Sequence, residues 1–375
     1  MAQIIEVKNR RDLRRFIDFP YSFYKGHPYW VPQLRKEIRH TLNRKKNAFF
    51  DHGDMGLFLA LDASGKVVGR IAGILNGTHL KTHKDDVGFF GFFECEECYE
   101  TAEALFEAAG GWAKARGLRA LRGPTNPTLN DMSALLISGF DRLPAVLMPY
   151  NPAYYQKYLE EWGFEQVMLI WAYWVHEKYA NFDRLIRGAE IVKRRNPGLV
   201  LRTMDMSRFY EDVEIMREIW NDGWKDNWGF VPITQREFRQ LAKDFKDIVD
   251  PRVCYILEKD GEPVAFSVSL PNINPALKKL PDGRLFPFGL AKILLHAKGG
   301  GFNEIRMPLM GVKKAYHGRA FDVLPVIETM VKAPTYGYPA CETSWVLDSN
   351  QILKNLLVAI GTVEDKRYAL FEKRL

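Results

Sequence analysis

The order of strands and helices written into this chain repeats once, and that repeat limits the possible folds more than any single residue does. Residues 4–7 alternate as a short strand, and the stretch from Asp12 puts Leu13, Phe16 and Ile17 on one helical face. Strand-like runs at 55–62 and 67–76 are joined by Ala63-Ser64-Gly65-Lys66 as a hairpin, and 87–94 is a third strand. Helix 97–116 carries Ala102, Leu105, Phe106, Ala109 and Trp112 on one face and ends at Gly117. A short strand at 118–122, a helix at 153–162 stopped by Gly163, and a long apolar strand at 167–175 complete the first pass. The second pass has strand 199–204, helices 208–220 and 236–245, and strands 253–258 and 263–270 around an Asp260-Gly261 hairpin turn. It closes with strand 304–310, helix 319–332, strand 341–347, helix 351–360 and strand 366–372. A chain of 375 residues can bury two cores, so two copies of one mixed α/β unit are expected, over 1–180 and 195–375, with the boundary inside 178–198. Each copy should be a mixed, mostly antiparallel sheet flanked by helices.

Composition excludes several classes. With 47% hydrophobic and 26% charged residues and no low-complexity tract, the chain is globular. The N-terminal residues run into Lys8-Asn9-Arg10-Arg11-Asp12 without the apolar core of a signal peptide. No apolar run approaches the ~20 residues that span a bilayer, so a cytoplasmic protein is expected. Cys254 and Cys341 lie in apolar strand-like runs and read as core residues. Cys95 and Cys98 form a lone C-x-x-C among Glu94, Glu96 and Glu97, which raise thiol pKa values, and no second pair completes a zinc site. No metal is expected. A net charge of +7 and a pI near 9.0 suit an anionic partner. No helix-turn-helix, zinc-finger or RNP pattern accompanies the charge, so nucleic acid is not the expected partner; phosphate groups and an anionic membrane surface remain.

One segment carries chemistry. Between the strand ending at Met310 and the following helix lies Gly311-Val312-Lys313-Lys314-Ala315-Tyr316-His317-Gly318-Arg319-Ala320. Small residues at 318 and 320 let backbone approach an anion, and a helix start supplies N–H groups and positive dipole. Lys313, Lys314 and Arg319 add charge, so the segment reads as a pyrophosphate cradle. It resembles the strand-loop-helix motif Q/R-x-x-G-x-G/A of the GNAT superfamily, matching at Gly318 and Ala320 and departing at Ala315. Downstream, Asn350 before the last helix and Gly361 after it match the superfamily's N-x-x-A-x-x-x-Y-x-x-x-G-F segment, from which Leu357 and Thr362 depart. The whole chain is similar to bacterial tandem GNAT proteins and, in size and superfamily, to some bacterial ceramide synthases.

The resemblance implies an acyl-CoA-dependent N-acyltransferase in which Gly311, Val312, Lys313, Lys314, Tyr316, His317, Gly318, Arg319, Ala320 and Asn350 hold coenzyme A. It also implies a missing general acid, because Leu357 stands where the family often has Tyr. The rival it leaves open is a binding protein that kept the fold and lost the chemistry. The first copy echoes only the last helix of the family, at 151–164, and its third strand enters a helix through three glutamates with no glycine cradle, so it is expected to bind no coenzyme A.

Acyl transfer to an amine needs a proton acceptor, for which Asp131, Glu94 and Glu342 are candidates. Asn126, Asn130 and Asp131 lie in the turn-rich segment 123–131 directly after a strand, where either a site or a plain turn accounts for them. Residues 220–230 place Trp220, Trp224, Asn227 and Trp228 close together, as an amine or acyl pocket or as core packing. Segment 286–298 is an apolar helix broken only by Lys292 and His296, which must be buried or face lipid. Together these features fit either structural packing or a lipid-like amine or long-chain acyl donor with peripheral membrane contact.

Overall fold

The alternating and helical periodicities above build the elements of the computed structural model, which describes residues 2–298 and 301–375. The strands are β1 (Gln3–Glu6), β2 (Gly53–Leu61), β3 (Val67–Asn76), β4 (Val87–Cys95), β5 (Ala120–Gly123), β6 (Thr125–Asn126), β7 (Met132–Ser133), β8 (Leu135–Ser138), β9 (Glu165–His176), β10 (Leu199–Thr203), β11 (Cys254–Lys259), β12 (Glu262–Pro271), β13 (Glu304–Val312), β14 (Ala340–Leu347) and β15 (Val363–Arg374). The helices are α1 (Arg10–Phe23), α2 (Arg35–Thr41), α3 (Gly77–His83), α4 (Tyr99–Lys114), α5 (Tyr154–Glu161), α6 (Phe182–Arg195), α7 (Phe209–Gly223), α8 (Gln235–Phe245), α9 (Asn274–Leu277), α10 (Gly289–Lys298), α11 (Val323–Lys332) and α12 (Gln351–Ile360). The mixed α/β architecture expected from the repeat is present.

The chain divides into two compact units that are not simple halves. The first comprises Met1–Leu169, Asn274–Leu295 and Lys366–Leu375; the second comprises Ile170–Ile273 and His296–Asp365. In the first unit β1, β2, β3 and β4 pair antiparallel in that order, β4 pairs β5 in parallel, and β5 pairs antiparallel with β15. In the second, β10, β11, β12 and β13 pair antiparallel, β13 pairs β14 in parallel, and β14 pairs antiparallel with β9. The two ladders are the same topology, and the last strand of each comes from the other half of the sequence.

In the first unit the predicted stripe of α4 is buried, with Ala102, Leu105, Phe106, Ala109 and Trp112 packed on one face of the sheet. Gly56 and Gly73 make room for the Trp112 indole, since a Cβ at either position would lie 2.3 Å and 2.8 Å from ring atoms. Phe16 and Ile17 of α1 and Ile38 of α2 cover a second cluster with Leu59, Ile74 and Phe89. Residues 274–283 are part of this unit: Asn274 Nδ2 donates to Pro144 O and Ala145 O, and Arg35 N donates to Gly283 O.

In the second unit α11 buries Leu324, Val326, Ile327 and Met330 against Leu257, Val264 and Ile305 of the sheet. The stretch expected to hold only the domain boundary contains α6. Asn181 caps it by accepting from Arg184 N, while Asp183 near its start and Lys193, Arg194 and Arg195 at its end complement the helix dipole. The helix after the cradle begins at Val323 rather than 319, because Gly318 (φ +77°) and Ala320 (φ +59°) are left-handed. Pro325 therefore falls in the first turn, where its missing N–H is no loss.

Candidate active site

In the second unit the parallel pair of β13 and β14 runs through Glu304↔Ala340, Ile305↔Cys341, Arg306↔Glu342 and Met307↔Thr343, and then ends. Beyond that point Leu309 to Val312 stay paired with Val268 to Ala265 of β12, while Val346 and Leu347 pair with Trp171 and Ile170 of β9. The two strands thus part, and the opening between them leads toward the loop that follows Val312. Lys313 N donates to Val264 O at 2.8 Å, which makes Ser267↔Met310 a non-hydrogen-bonded pair and turns the Met310 N–H and C=O toward the β14 side.

Glu342 lies one residue before the strands part. Its side chain is 3% exposed, and Arg306 Nε stands 3.6 Å from its Oε2. Arg306 also bonds Ser344, with Nε donating to Ser344 Oγ at 2.9 Å and Nη2 to Ser344 O at 3.3 Å. Neither oxygen of Glu342 has a hydrogen-bond partner among the described residues. Burial pushes its carboxyl up to about 7, against the opposing pull of Arg306 and of the nearby Ser344 hydroxyl. A buried carboxyl that titrates near neutrality fits a proton acceptor.

Two sequence segments singled out above meet at the outer end of β13. Trp224 at the end of α7 donates its indole N–H to Met310 O at 2.8 Å and stacks on Trp220 at 4.1 Å between ring centroids. Lys314 N donates to Asp222 Oδ2 at 2.7 Å, and Lys314 Nζ pairs with Asp226. These contacts hold the carboxyls of Asp222 and Asp226 below the ordinary aspartate range. Trp220 belongs to the core, and Trp224 and Trp228 are half-buried. Asn227 is exposed, and its N–H closes the turn on Trp224 O.

The cradle is sparser in charge than the sequence suggests. Lys313 Nζ lies 2.7 Å from Glu262 Oε1 and Lys314 is paired with Asp226, whereas Arg319 is exposed over the Tyr316 ring at 5.6 Å and makes no ion pair among the described residues. Gly318 faces open space, His317 Nε2 is 3.2 Å from Val312 O, and Tyr316 stacks on Phe321. A carboxyl absent from the sequence reading, Asp322, sits at the start of α11, and burial raises its pKa. Gly311 backs onto Phe266. Asn350 uses its side-chain oxygen to cap α12 through Leu353 N at 3.1 Å, so its oxygen is already engaged.

The corresponding opening in the first unit is closed by its own chain. There β4 and β5 pair as far as Phe89↔Arg122, and Asn126 Oδ1 then accepts the Phe92 N–H at 2.6 Å. A Cβ on Gly91 would lie 1.6 Å from Thr125 O, so backbone fills the space. Asn126 thereby ties the Thr125–Asn126 segment to the edge of β4, with its side-chain oxygen engaged. Asp131 likewise serves its turn: Oδ2 accepts Thr128 N at 3.1 Å and Thr128 Oγ1 at 2.7 Å, and Asn130 N donates to the same hydroxyl. Glu94 accepts Arg70 Nε at 2.5 Å, and Arg70 also donates to Phe16 O. Of the proton acceptors expected from sequence, only Glu342 is buried beside an opening between strands. Arg306, Ser344 and Met310 carried no sequence signal, because their importance comes from which strand lies alongside.

No family model matches the chain. Its fold is that of the tandem GNAT protein from the clavulanic acid biosynthesis pathway, with a TM-score of 0.60 at 10% identity over 100% of this chain and 98% of that one. A probable N-acyltransferase from Enterococcus faecalis gives 0.52 at 6% identity over 100% and 72%. The chain is 38% identical over 378 residues to the bacterial ceramide synthase of Caulobacter vibrioides, covering 99% of this chain and 97% of that protein. This is a member of the bacterial ceramide synthase family, with a tandem GNAT fold. Protein YghO of Escherichia coli is 35% identical over 371 residues, 98% of this chain and 94% of that one. In this ceramide synthase family member Leu357 is 1% exposed within the core of the second unit, so the position where proteins of this fold often have Tyr presents no hydroxyl.

Proposed function

We propose that the protein transfers an acyl group from an acyl-coenzyme A to the amino group of a long-chain amine, such as a sphingoid base, in the opening between β13 and β14. The fold and the family support an acyltransferase. The observation that carries the finer reading is the buried Arg306–Glu342 pair at the point where the strands part. The phosphates would lie against the backbone of 311–320 and Arg319, and the thioester supplies the activated acyl carbonyl. A long-chain amine reaches the site as an ammonium at neutral pH, and a buried carboxylate attracts it. Glu342 takes one of its protons, and the freed lone pair attacks the carbonyl carbon. The carbon–sulfur bond breaks as the amide forms, and the second proton leaves with the thiol, so that one proton is released overall.

The first unit contributes no second donor site in this reading, because Asn126 and Thr125 occupy its opening. The Caulobacter relative's name supports a ceramide-type product, an amide of a long-chain amino alcohol. The test is release of free thiol from acetyl-CoA and palmitoyl-CoA with sphinganine and with short-chain amines. Turnover of palmitoyl-CoA that requires sphinganine is expected. Binding of acyl-CoA with no thiol release for any amine would favour the rival, a binding protein that lost its chemistry, to which the buried Leu357 lends support.

A further inference from the structure

We infer that the segment from Arg284 to Leu295 docks the protein on an anionic membrane surface, placing it where a long-chain amine resides; this deepens the reading of the substrate given above. Phe286 and Phe288 are 74% and 72% exposed, and Leu290, Leu294 and Leu295 are 42%, 52% and 70% exposed. Five large apolar side chains thus face water within ten residues, although soluble surfaces seldom gather apolar groups so densely.

The display is anchored from below. Leu280 and Gly289 are buried, Leu290 N donates to Leu285 O at 2.7 Å, and a Cβ on Gly289 would lie 2.1 Å from Arg284 O. Leu280 lies beneath Gly289, and the Leu290–Leu285 backbone bond closes the turn that carries the exposed Phe286 and Phe288. The helix that follows, α10, is ten residues long, and no helix among the described residues is long and apolar enough to cross a membrane. Such an element lies in the interface rather than across it.

Charge names the partner. No Asp or Glu occurs from Leu285 to Asn303, and the exposed Lys292 stands among the apolar side chains; Arg284 at the start of the segment is exposed and lies 3.9 Å from Asp282. A second protein copy would meet the same cations, whereas an anionic headgroup layer complements them. Shallow apolar insertion plus basic charge gives reversible binding that salt weakens.

The experiment is flotation of the full chain with vesicles of phosphatidylcholine alone or mixed equally with phosphatidylglycerol, for wild type, Lys292→Glu and the double variant Phe288→Asp/Leu295→Asp. All three positions are exposed, and matching thermal melts establish that the variants fold. Wild type is expected to float with the anionic vesicles and not with the neutral ones, and to be released by high salt. The double variant should lose at least nine-tenths of that binding and Lys292→Glu a smaller share. Thiol release with sphinganine dispersed in neutral detergent should be equal in all, while release with vesicle-borne sphinganine should fall about tenfold in the double variant. No flotation of wild type, or equal flotation of the double variant, overturns the inference, as does wild-type self-association abolished by the double variant without vesicle binding. Flotation that depends on these residues in a protein with no thiol release for any amine upholds the surface and overturns the acyltransferase reading alone.

Discussion

Replacing Glu342 by Gln removes the titrating group while keeping its size, and its consequences follow from burial. The carboxyl titrates at about 7 instead of 4.5 because it is buried beside a single guanidinium. At pH 6 only about a tenth of it is ionised and at pH 8 about nine-tenths, so kcat should rise roughly tenfold between them. The variant should lose about 10²- to 10³-fold in kcat, as expected for removal of a general base, with acyl-CoA affinity changed less than threefold. Stability carries the opposite signature. A carboxyl whose folded pKa is raised favours the folded state while protonated, so its contribution is present below about 4.5 and is lost as pH rises through 7. The difference of about 2.5 pKa units corresponds to roughly 3 kcal/mol. Gln has no charge to bury, so the variant's denaturation midpoint should stay flat from pH 5 to 8 where wild type declines. Thiol release with palmitoyl-CoA and saturating sphinganine over that pH range, alongside urea melts, measures both. A variant that keeps more than a tenth of kcat, or the same inflection near 7, would refute the assignment.

Gly318→Trp places a large side chain on a left-handed residue of the cradle, and calorimetry with palmitoyl-CoA should show at least a tenfold weaker Kd; equal binding would place the donor elsewhere. Gly91→Ala drives a methyl into Thr125 O, which should destabilise the first unit by roughly 3 kcal/mol, or about 6–12 °C in a thermal melt, with little effect on acyl-CoA affinity. Asp131→Asn retains an oxygen that can accept from Thr128, so kcat should change less than twofold. Asp131→Ala should cost about 1 kcal/mol in a urea melt, and a large loss of turnover in the Asn variant would restore Asp131 as a proton acceptor.

Periodicity alone located most of the elements. The hairpin at β2 and β3, the buried stripe of α4 and both ends of α12 follow from apolar spacing, from Gly117 and Gly361, and from the Asn350 cap. The cradle was likewise legible as small residues after a strand, whereas the left-handed backbone at Gly318 and Ala320 that delays the helix was not. Those signals are local, and each is set by the residues that carry it. Tertiary structure alone decided which strands lie side by side. An apolar run such as 167–175 states that it is a strand but not which edge it joins, because backbone hydrogen bonds are the same for every partner. That pairing sends β9 to the second unit and β15 to the first. Pairing also sets the two openings apart, since Asn126 reaches the Phe92 N–H across 34 residues while Glu342 meets Arg306 across 36. A carboxyl's role in this protein depends on burial and on its neighbour, and both are properties of the packed sheet: Glu94 is matched to Arg70, Asp131 to its own turn, and Glu342 is left with a guanidinium just beyond hydrogen-bonding reach.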